Sequence, residues 1–425
     1  MSGRAAKKGL MSGTLIYLVS NVLNAAIPFA LLPVLTRVLD PSEYGQVAMF
    51  QTLLAALVAV VGLNTVGAAN RRFYDDDLDT AALAAYNGAC LLILLASTIL
   101  VALVFGLARE WLSEWLGISP GWVLLAVGVA AAHYVVRLRL GQWQVRQLPV
   151  HFGAFQISLS ALNIGLSLVL VVGLSYGAAG RVAGMSLAPV VMAVLALALL
   201  ARRRLISVAW RSEDIRGALR FGVPLIPHVG GAFLLTMADR LVINRELGLE
   251  SAGIYMVAVQ LAMGLSIALE AVNKAYVPWL YERLKRDDPV QKRNIVLGSY
   301  AYFGLLLGLA ALSFVLGPLV LELLAGERYA RAGDVIGWLV LGQAFRGMYL
   351  TVTAYIFYRR KTERLSLITI ASGGVNLLLL LFMVKRFGLE GAAVSFAISA
   401  LLLFLFTWWL AARTSPMPWR LTREA

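Results

Sequence analysis

The stretch LPVLTRVLDPSEYGQVAMFQTL (residues 32–53) places Arg37, Asp40, Pro41 and Glu43 between two long apolar runs. Proline is favoured at the first position of a helix, and aspartate is favoured just before it as an N-cap. The pattern therefore predicts that one helix ends at this point and that a second begins at Pro41. A tight polar turn joins the two.

The composition indicates that these helices lie in a membrane. Hydrophobic residues make up 60% of the 425-residue chain and charged residues only 14%, against about 25% charged residues in soluble proteins. A bilayer crossing needs about 20 apolar residues in a helix whose backbone hydrogen bonds are satisfied internally. Segments of that length predict an all-α integral membrane protein with about twelve spans: 12–35, 41–67, 83–108, 121–141, 150–173, 179–200, 217–243, 251–276, 294–317, 335–357, 364–384 and 389–412.

The basic residues indicate the orientation. With the N-terminus in the cytoplasm, inner segments carry 26 Lys and Arg residues and outer segments carry 8, Arg37 and Arg181 among the latter. This asymmetry predicts that both termini are cytoplasmic. The net charge of +14 then reflects topology and contact with anionic lipid headgroups, and it gives no reason to invoke nucleic acid.

Two weak internal repeats suggest a duplication. An offset of 208 residues aligns TRVLDPSEYGQV (36–47) with NRELGLESAGIY (244–255), and an offset of 211 aligns YGAAGRVAG (176–184) with FGLEGAAVS (387–395). Because six helices bring the chain back to the same side, the repeats predict two parallel six-helix bundles around a central cavity. We expect an N-lobe at 1–200, a cytoplasmic amphipathic linker at 201–220 and a C-lobe at 221–425.

Several polar side chains fall inside the predicted spans. A charge within the membrane costs about 2.5–3.5 kcal/mol, so such residues normally face a bundle interior or water. The candidates for substrate binding are Arg346, Arg240, Lys274, Arg37, Asn21, Asn24 and Gln343, and those for ion coupling are Asp239, Glu270 and His228. Arg346 is the foremost cation because its own span offers no carboxylate at helical spacing, and the planar guanidinium suits phosphate.

Each candidate also has a structural alternative. Asp239 with Arg240, and Glu270 with Lys274, can form ion pairs that only hold helices together. Arg37 can extend to the membrane interface, and the two asparagines can hydrogen-bond between helices. His228 is a proton-linked switch or a residue that simply hydrogen-bonds a neighbour.

The outer turn at 32–53 and the string FGVPLIPHVGGAFLLTMADRLVINRELGLESAGIYMVA (221–258) resemble the polysaccharide transporter family of the multidrug/oligosaccharidyl-lipid/polysaccharide exporter superfamily. Its Wzx-type members are flippases. The resemblance implies alternating-access transfer of undecaprenyl-pyrophosphate-linked repeat units for O-antigen, capsule or exopolysaccharide, from the cytoplasmic to the periplasmic leaflet of the bacterial inner membrane. A polysaccharide polymerase and a chain-length regulator are the expected partners, beside the lipid-linked oligosaccharide and membrane lipids.

Two rival functions stay open, a cation-coupled multidrug exporter of the same superfamily and a membrane polysaccharide polymerase or ligase. The sequence has no P-loop, no HExxH motif, no Cys/His metal spacing and only short outer loops. We therefore expect no enzyme activity, catalytic residue, metal or cofactor. Coupling to a proton or a sodium gradient remains open.

Overall fold

The computed structural model describes residues 29–75, 79–207, 209–359 and 362–419, and these ranges contain helices and no strand. The helices are α1 (Phe29–Val38), α2 (Pro41–Val60), α3 (Val66–Arg72), α4 (Thr80–Leu107), α5 (Arg109–Leu116), α6 (Pro120–Val145), α7 (Pro149–Leu168), α8 (Gly177–Arg202), α9 (Ser212–Gly222), α10 (Ile226–Arg286), α11 (Pro289–Ala325), α12 (Gly333–Tyr358) and α13 (Thr362–Thr414).

Within those ranges, nine helices are long and apolar enough to cross a membrane. Two of them, α10 and α13, contain a non-helical glycine, Gly248 and Gly388, which divides each into two runs. When these runs are counted separately and the described end of α1 is added, the total is the twelve spans predicted from the sequence. The multi-pass, all-α fold is thus confirmed.

Several predicted spans have different ends in the structure, the second and the seventh among them. The second span stops at Val60, because the chain turns through left-handed backbone at Gly62, Leu63 and Asn64 before α3. Gly62 is required here because a Cβ atom would enter the ring of Tyr134. The seventh span begins at Ile226 and not at residue 217, since α9 is a separate short helix.

The polar turn between α1 and α2 forms a capping box. The Glu43 amide donates to Asp40 Oδ1 at 2.8 Å, and the Asp40 amide donates to Glu43 Oε2 at 3.2 Å. The other Glu43 oxygen accepts a hydrogen bond from the Ala178 amide at 3.2 Å. The charged break between two apolar runs therefore starts α2 and also ties it to the start of α8.

The glycines matched by the 211-residue offset share two structural features. Gly177 and Gly388 both have left-handed backbone, with φ of +54° and +59°. At Gly180 a Cβ atom would lie 2.9 Å from the backbone of Leu170, and at Gly391 it would collide with the backbone of Met383. In each half of the chain, therefore, one glycine has positive φ and a second glycine, three residues later, packs closely against backbone. This similarity supports the duplication.

By packing, the chain divides into two compact units, Met1–Met237 and Ala238–Ala425. The second unit has an aromatic core in which Phe303, Phe404 and Trp408 pack edge to face or stack. The lobe and linker boundaries expected from the repeats stay a prediction.

The segment that leads into α9 is anchored to the first unit. The Asn87 side chain donates to the Leu205 carbonyl at 2.8 Å, and the Ser207 amide donates to the Ala84 carbonyl at 2.9 Å. At the end of α9, a Cβ atom on Gly222 would collide with the carbonyl of Leu63. These contacts hold residues 205–207 and the end of α9 against other segments of the first unit, of which they are part.

Candidate functional site

The residue pair that the sequence placed late in the seventh span is held inside the second unit. The Arg240 side chain is 3% exposed, and its Nε donates to the sulfur of Met256 at 3.1 Å. One guanidinium nitrogen lies 3.9 Å from Asp239 Oδ1, which also accepts from the Arg240 amide at 2.9 Å. Arg240 therefore has internal partners, and its role in substrate binding stays a prediction.

Glu270 and Lys274 are the second pair of oppositely charged residues within the predicted spans. In the structure they differ from Asp239 and Arg240, because they do not contact each other. Both side chains are exposed on α10, and neither forms an ion pair or hydrogen bond with any residue that the structure describes. The intrahelical ion pair that their i, i+4 spacing allows is not formed. Their charges are therefore available to a ligand or a coupling ion.

Arg346 is exposed on α12, and among the described residues it has no hydrogen-bond or ion-pair partner. Gln343, one turn earlier, is 5% exposed, and no described donor reaches its carbonyl oxygen. A Cβ atom on Gly347 would lie 2.8 Å from the side chain of Leu269. This contact brings together the segments of α12 and α10 that carry Arg346 and Glu270.

A cavity of about 240 Å³ lies at the same place, between α10, α11 and α12. Amide, hydroxyl and aromatic side chains form much of its wall: Asn273, Tyr276, Trp279, Asn294, Ser299, Tyr302 and Thr351. The Asn273 carbonyl oxygen is buried and has no donor among the described residues. Such a lining offers donors, acceptors and flat apolar faces, which suit sugar rings.

Two candidate cations are sequence neighbours of residues that line this cavity. Lys274 follows Asn273, and Arg346 precedes Gly347, and both Asn273 and Gly347 line the cavity. Sequence reasoning identified the cations and missed the cavity, because tyrosine, serine and threonine are ordinary core residues of membrane helices. Asn273, an uncharged polar residue within a span and beside Lys274, was the signal that could have indicated it.

The other predicted site residues lie elsewhere or outside the described part of the chain. Arg37 is exposed at the end of α1. Asn21 and Asn24 precede the described residues, and the side chain of His228 is not among the described ones. The roles assigned to these residues stay predictions.

Arg181, which the charge count assigned to an outer segment, lies near the start of α8 and is only 6% exposed. Its guanidinium donates to Asn163 Oδ1 at 2.7 Å and to Ser167 Oγ at 2.6 Å. The assignment of Arg181 to the outer side stays a prediction.

The fold is that of multidrug and toxic compound extrusion (MATE) transporters. An inward-facing MATE transporter of the MOP superfamily matches with a TM-score of 0.69 and 16% identity, over 92% of this chain and 94% of that one. An outward-facing MATE transporter matches with a TM-score of 0.56 and 15% identity, over 95% and 93%. At this identity the likeness establishes the architecture.

The chain belongs to the polysaccharide biosynthesis protein family, whose model matches residues 10–283, more than half of its length. The Lsg locus putative protein 1 of Haemophilus influenzae is 26% identical over 370 residues, covering 84% of this chain and 87% of that protein. A putative O-antigen transporter of Shigella flexneri is 27% identical over 176 residues, covering 41% of this chain and 42% of that protein. The family resemblance stated from the sequence is confirmed.

Proposed function

We propose that this protein is a flippase that moves a lipid-linked oligosaccharide across the bacterial inner membrane by alternating access. The observation that carries the proposal concerns two exposed cations, Lys274 and Arg346, which have no ion-pair partner among the described residues. Each is next in sequence to a residue that lines a cavity of the second unit, and the wall of that cavity includes amide, hydroxyl and aromatic side chains. Family membership supports a sugar cargo, since a named relative is a putative O-antigen transporter.

Physical chemistry links these features to the cargo. A sugar unit of several rings carries many hydroxyl groups, each costing about 2–7 kcal/mol to move into hydrocarbon without a partner. A diphosphate adds negative charge that needs cationic donors, and arginine supplies two parallel hydrogen bonds to phosphate. We infer that Arg346 and Lys274 hold the diphosphate of an undecaprenyl carrier while the cavity at Asn273 receives sugar groups and the prenyl tail stays in lipid.

The proposed orientation has both termini in the cytoplasm, so that cargo passes from the cytoplasmic to the periplasmic leaflet. A polysaccharide polymerase and a chain-length regulator would act on the delivered units. In this proposal the protein performs no covalent chemistry. A proton or sodium gradient supplies the driving force through Glu270, which is exposed and unpaired among the described residues, with Asp239 and His228 as the other candidate coupling residues.

The test is transport of a fluorescent undecaprenyl-diphosphate oligosaccharide in proteoliposomes, measured by access of the sugar to a membrane-impermeant reagent. Arg346→Ala removes charge-assisted hydrogen bonds worth about 1.5–3 kcal/mol. Since 1.4 kcal/mol is tenfold, we expect roughly a 10- to 100-fold slower rate at low substrate concentration. Arg346→Lys should restore part of the rate, and Lys274→Ala and Arg240→Ala should have smaller effects.

The matched control is Lys385→Ala, which removes an exposed lysine whose ammonium lies 3.6 Å from Glu246. Its rate should equal that of the unaltered protein. Wild-type rates in all three of the Arg346, Lys274 and Arg240 alanine variants would refute the cationic mechanism. Gradients of protons and of sodium, applied separately, identify the coupling ion. Transport of a lipophilic cationic dye without transport of the sugar lipid would favour the drug-exporter alternative.

A further inference from the structure

The first unit contains a larger cavity, of about 610 Å³, that no step of the proposed transport uses. It lies where α6 and α8 end and where α7 and α4 begin, which is the cytoplasmic end in the charge-based orientation. Its basic lining residues are Arg139, Arg146 and Arg203, joined by His151. None of the described residues that line it is acidic.

Arg139 is the most unusual of these residues. It is 4% exposed, its guanidinium lies 4.1 Å from the ring centre of Trp143, and it forms no hydrogen bond or ion pair with any described residue. Its Nε is buried without an acceptor in the described part of the chain. Buried charges in proteins are normally paired, because an isolated ion loses its hydration without compensation.

The other two arginines add positive charge to the same cavity. Arg146 caps α6, its guanidinium lies 5.4 Å from the ring centre of Phe73, and its Nε too has no acceptor among the described residues. Burial lowers the pKa of Arg146. Arg203 follows the last residue of α8 and is exposed. Three like charges around one cavity repel one another unless a ligand neutralises them.

The remaining wall indicates that this ligand has an apolar part. Met192, Leu195 and Leu199 form one side along α8, and Ala154 and Phe155 form another along α7. Leu195 is 45% exposed on a membrane-spanning helix, so this side continues toward hydrocarbon. Trp143 and His151 pack against each other with ring centres 6.0 Å apart, and aromatic rings of this kind favour the headgroup level of a bilayer.

We propose that this cavity binds the phosphate headgroup of a lipid in the cytoplasmic leaflet, with Arg139 as the buried anchor and Arg146 and Arg203 as the outer donors. Basic pockets between transmembrane helices are suited to anionic headgroups, and guanidinium groups bind phosphate oxygens in pairs. A bound lipid would neutralise the three arginines and hold the ends of α6, α7 and α8 together. With an anionic phospholipid as the ligand, the proposal is independent of the cargo assigned above, and with the carrier lipid as the ligand it rests on that proposed function.

Two kinds of lipid combine a negatively charged phosphate group with an apolar chain. They are an anionic phospholipid of the bilayer and the diphosphate lipid that carries the sugar. Native mass spectrometry of the whole protein in detergent, with added dioleoyl-phosphatidylglycerol, dioleoyl-phosphatidylcholine or undecaprenyl diphosphate, separates these sources. Inorganic pyrophosphate tests the headgroup without a tail. We expect phosphatidylglycerol or undecaprenyl diphosphate, whichever is the source, to bind at least tenfold more tightly than phosphatidylcholine and pyrophosphate.

The variants act on the outer donors, because replacing the buried Arg139 by alanine can prevent folding. Arg146→Ala combined with Arg203→Ala should weaken binding of the preferred lipid at least tenfold, and Arg139→Lys should weaken it less. Arg202→Ala is the matched control, since Arg202 is exposed, ends the same helix and does not line the cavity. Equal binding of phosphatidylglycerol, undecaprenyl diphosphate and phosphatidylcholine would overturn the proposal, as would equal binding by the double variant and the Arg202→Ala control.

Discussion

The substitution Gly391→Ala tests most directly how the second unit is packed. Gly391 lies on α13 just after the left-handed residue Gly388, and a Cβ atom there would collide with the backbone carbonyl of Met383. A carbonyl cannot rotate away as a side chain can, so one helical run must move relative to the other. We expect this movement to destabilise the protein.

The magnitude follows from two opposing terms. Alanine is the better helix former by about 1 kcal/mol, which favours the variant. Inserting a methyl group into a packed contact costs about 1–3 kcal/mol and more when the backbone must shift, and here the contact is with backbone. The net expectation for Gly391→Ala is a loss of up to about 2 kcal/mol in the free energy of unfolding.

The chain offers a closely matched control on the same helix. Gly374 lies in α13, and a Cβ atom there would meet nothing within 4 Å. Gly374→Ala should therefore be neutral or stabilise by up to about 1 kcal/mol. Gly180→Ala, at the corresponding place in the first unit, should be destabilising by less than Gly391→Ala, because its Cβ would lie 2.9 Å from the Leu170 backbone.

The free energy of unfolding of each variant would be measured by titrating dodecyl sulfate into mixed micelles and recording helix content by circular dichroism. The expected difference between Gly391→Ala and Gly374→Ala is about 1–3 kcal/mol, the packing cost alone, because the gain in helix propensity is common to both variants. If the two variants unfold at the same mole fraction of dodecyl sulfate, close backbone packing does not decide the choice of glycine at 391. The equivalence drawn between Gly180 and Gly391 would then have no energetic support.

Two further predictions concern buried polar contacts in the first unit. Glu43→Ala removes the return bond of the capping box and the bond from Ala178, and should lower the free energy of unfolding by about 1–3 kcal/mol. Arg181→Met should cost about 2–4 kcal/mol, because Asn163 and Ser167 lose their buried donor. Both are measured by the same titration.

Matched controls separate these effects from a general loss of charge. Glu110→Ala removes an exposed carboxylate paired with Arg109, and should change stability by less than about 1 kcal/mol. Arg202→Ala, on the same helix as Arg181, should be equally mild since the side chain is exposed. An effect of Glu43→Ala or Arg181→Met no larger than that of its control would contradict the assigned contacts.

Local chemistry explains which parts of the fold were predictable from sequence. Pro41 begins α2 as predicted, because an N-cap aspartate and an N1 proline act within a few residues. The end of the same span was wrong by several residues. It depends on the turn at Gly62, which is held against Tyr134, a residue on another helix that no local pattern indicates.

The candidate site, too, has features that nearby residues determine and features that depend on distant segments. Asp239–Arg240 and Glu270–Lys274 each place an acidic and a basic residue close together in sequence, yet only the first pair is in contact, although the i, i+4 spacing of the second favours an ion pair. Arg139, which anchors the proposed lipid site, was counted only as an inner positive charge. Its proposed role in lipid binding depends on the packing of α6, α7 and α8 around one cavity. Residue spacing within a single helix does not predict that packing.

The amino-acid sequence alone determined that this chain lies in a membrane and that it crosses about twelve times, and it contains two weak internal repeats that predict a duplication. Hydropathy, charge asymmetry and capping are properties of consecutive residues, so they can be read along the chain. Tertiary structure alone decided which intramembrane charges are neutralised and which cavities they border. Neutralisation depends on atoms within about 4 Å that come from distant segments, and packing brings those segments together.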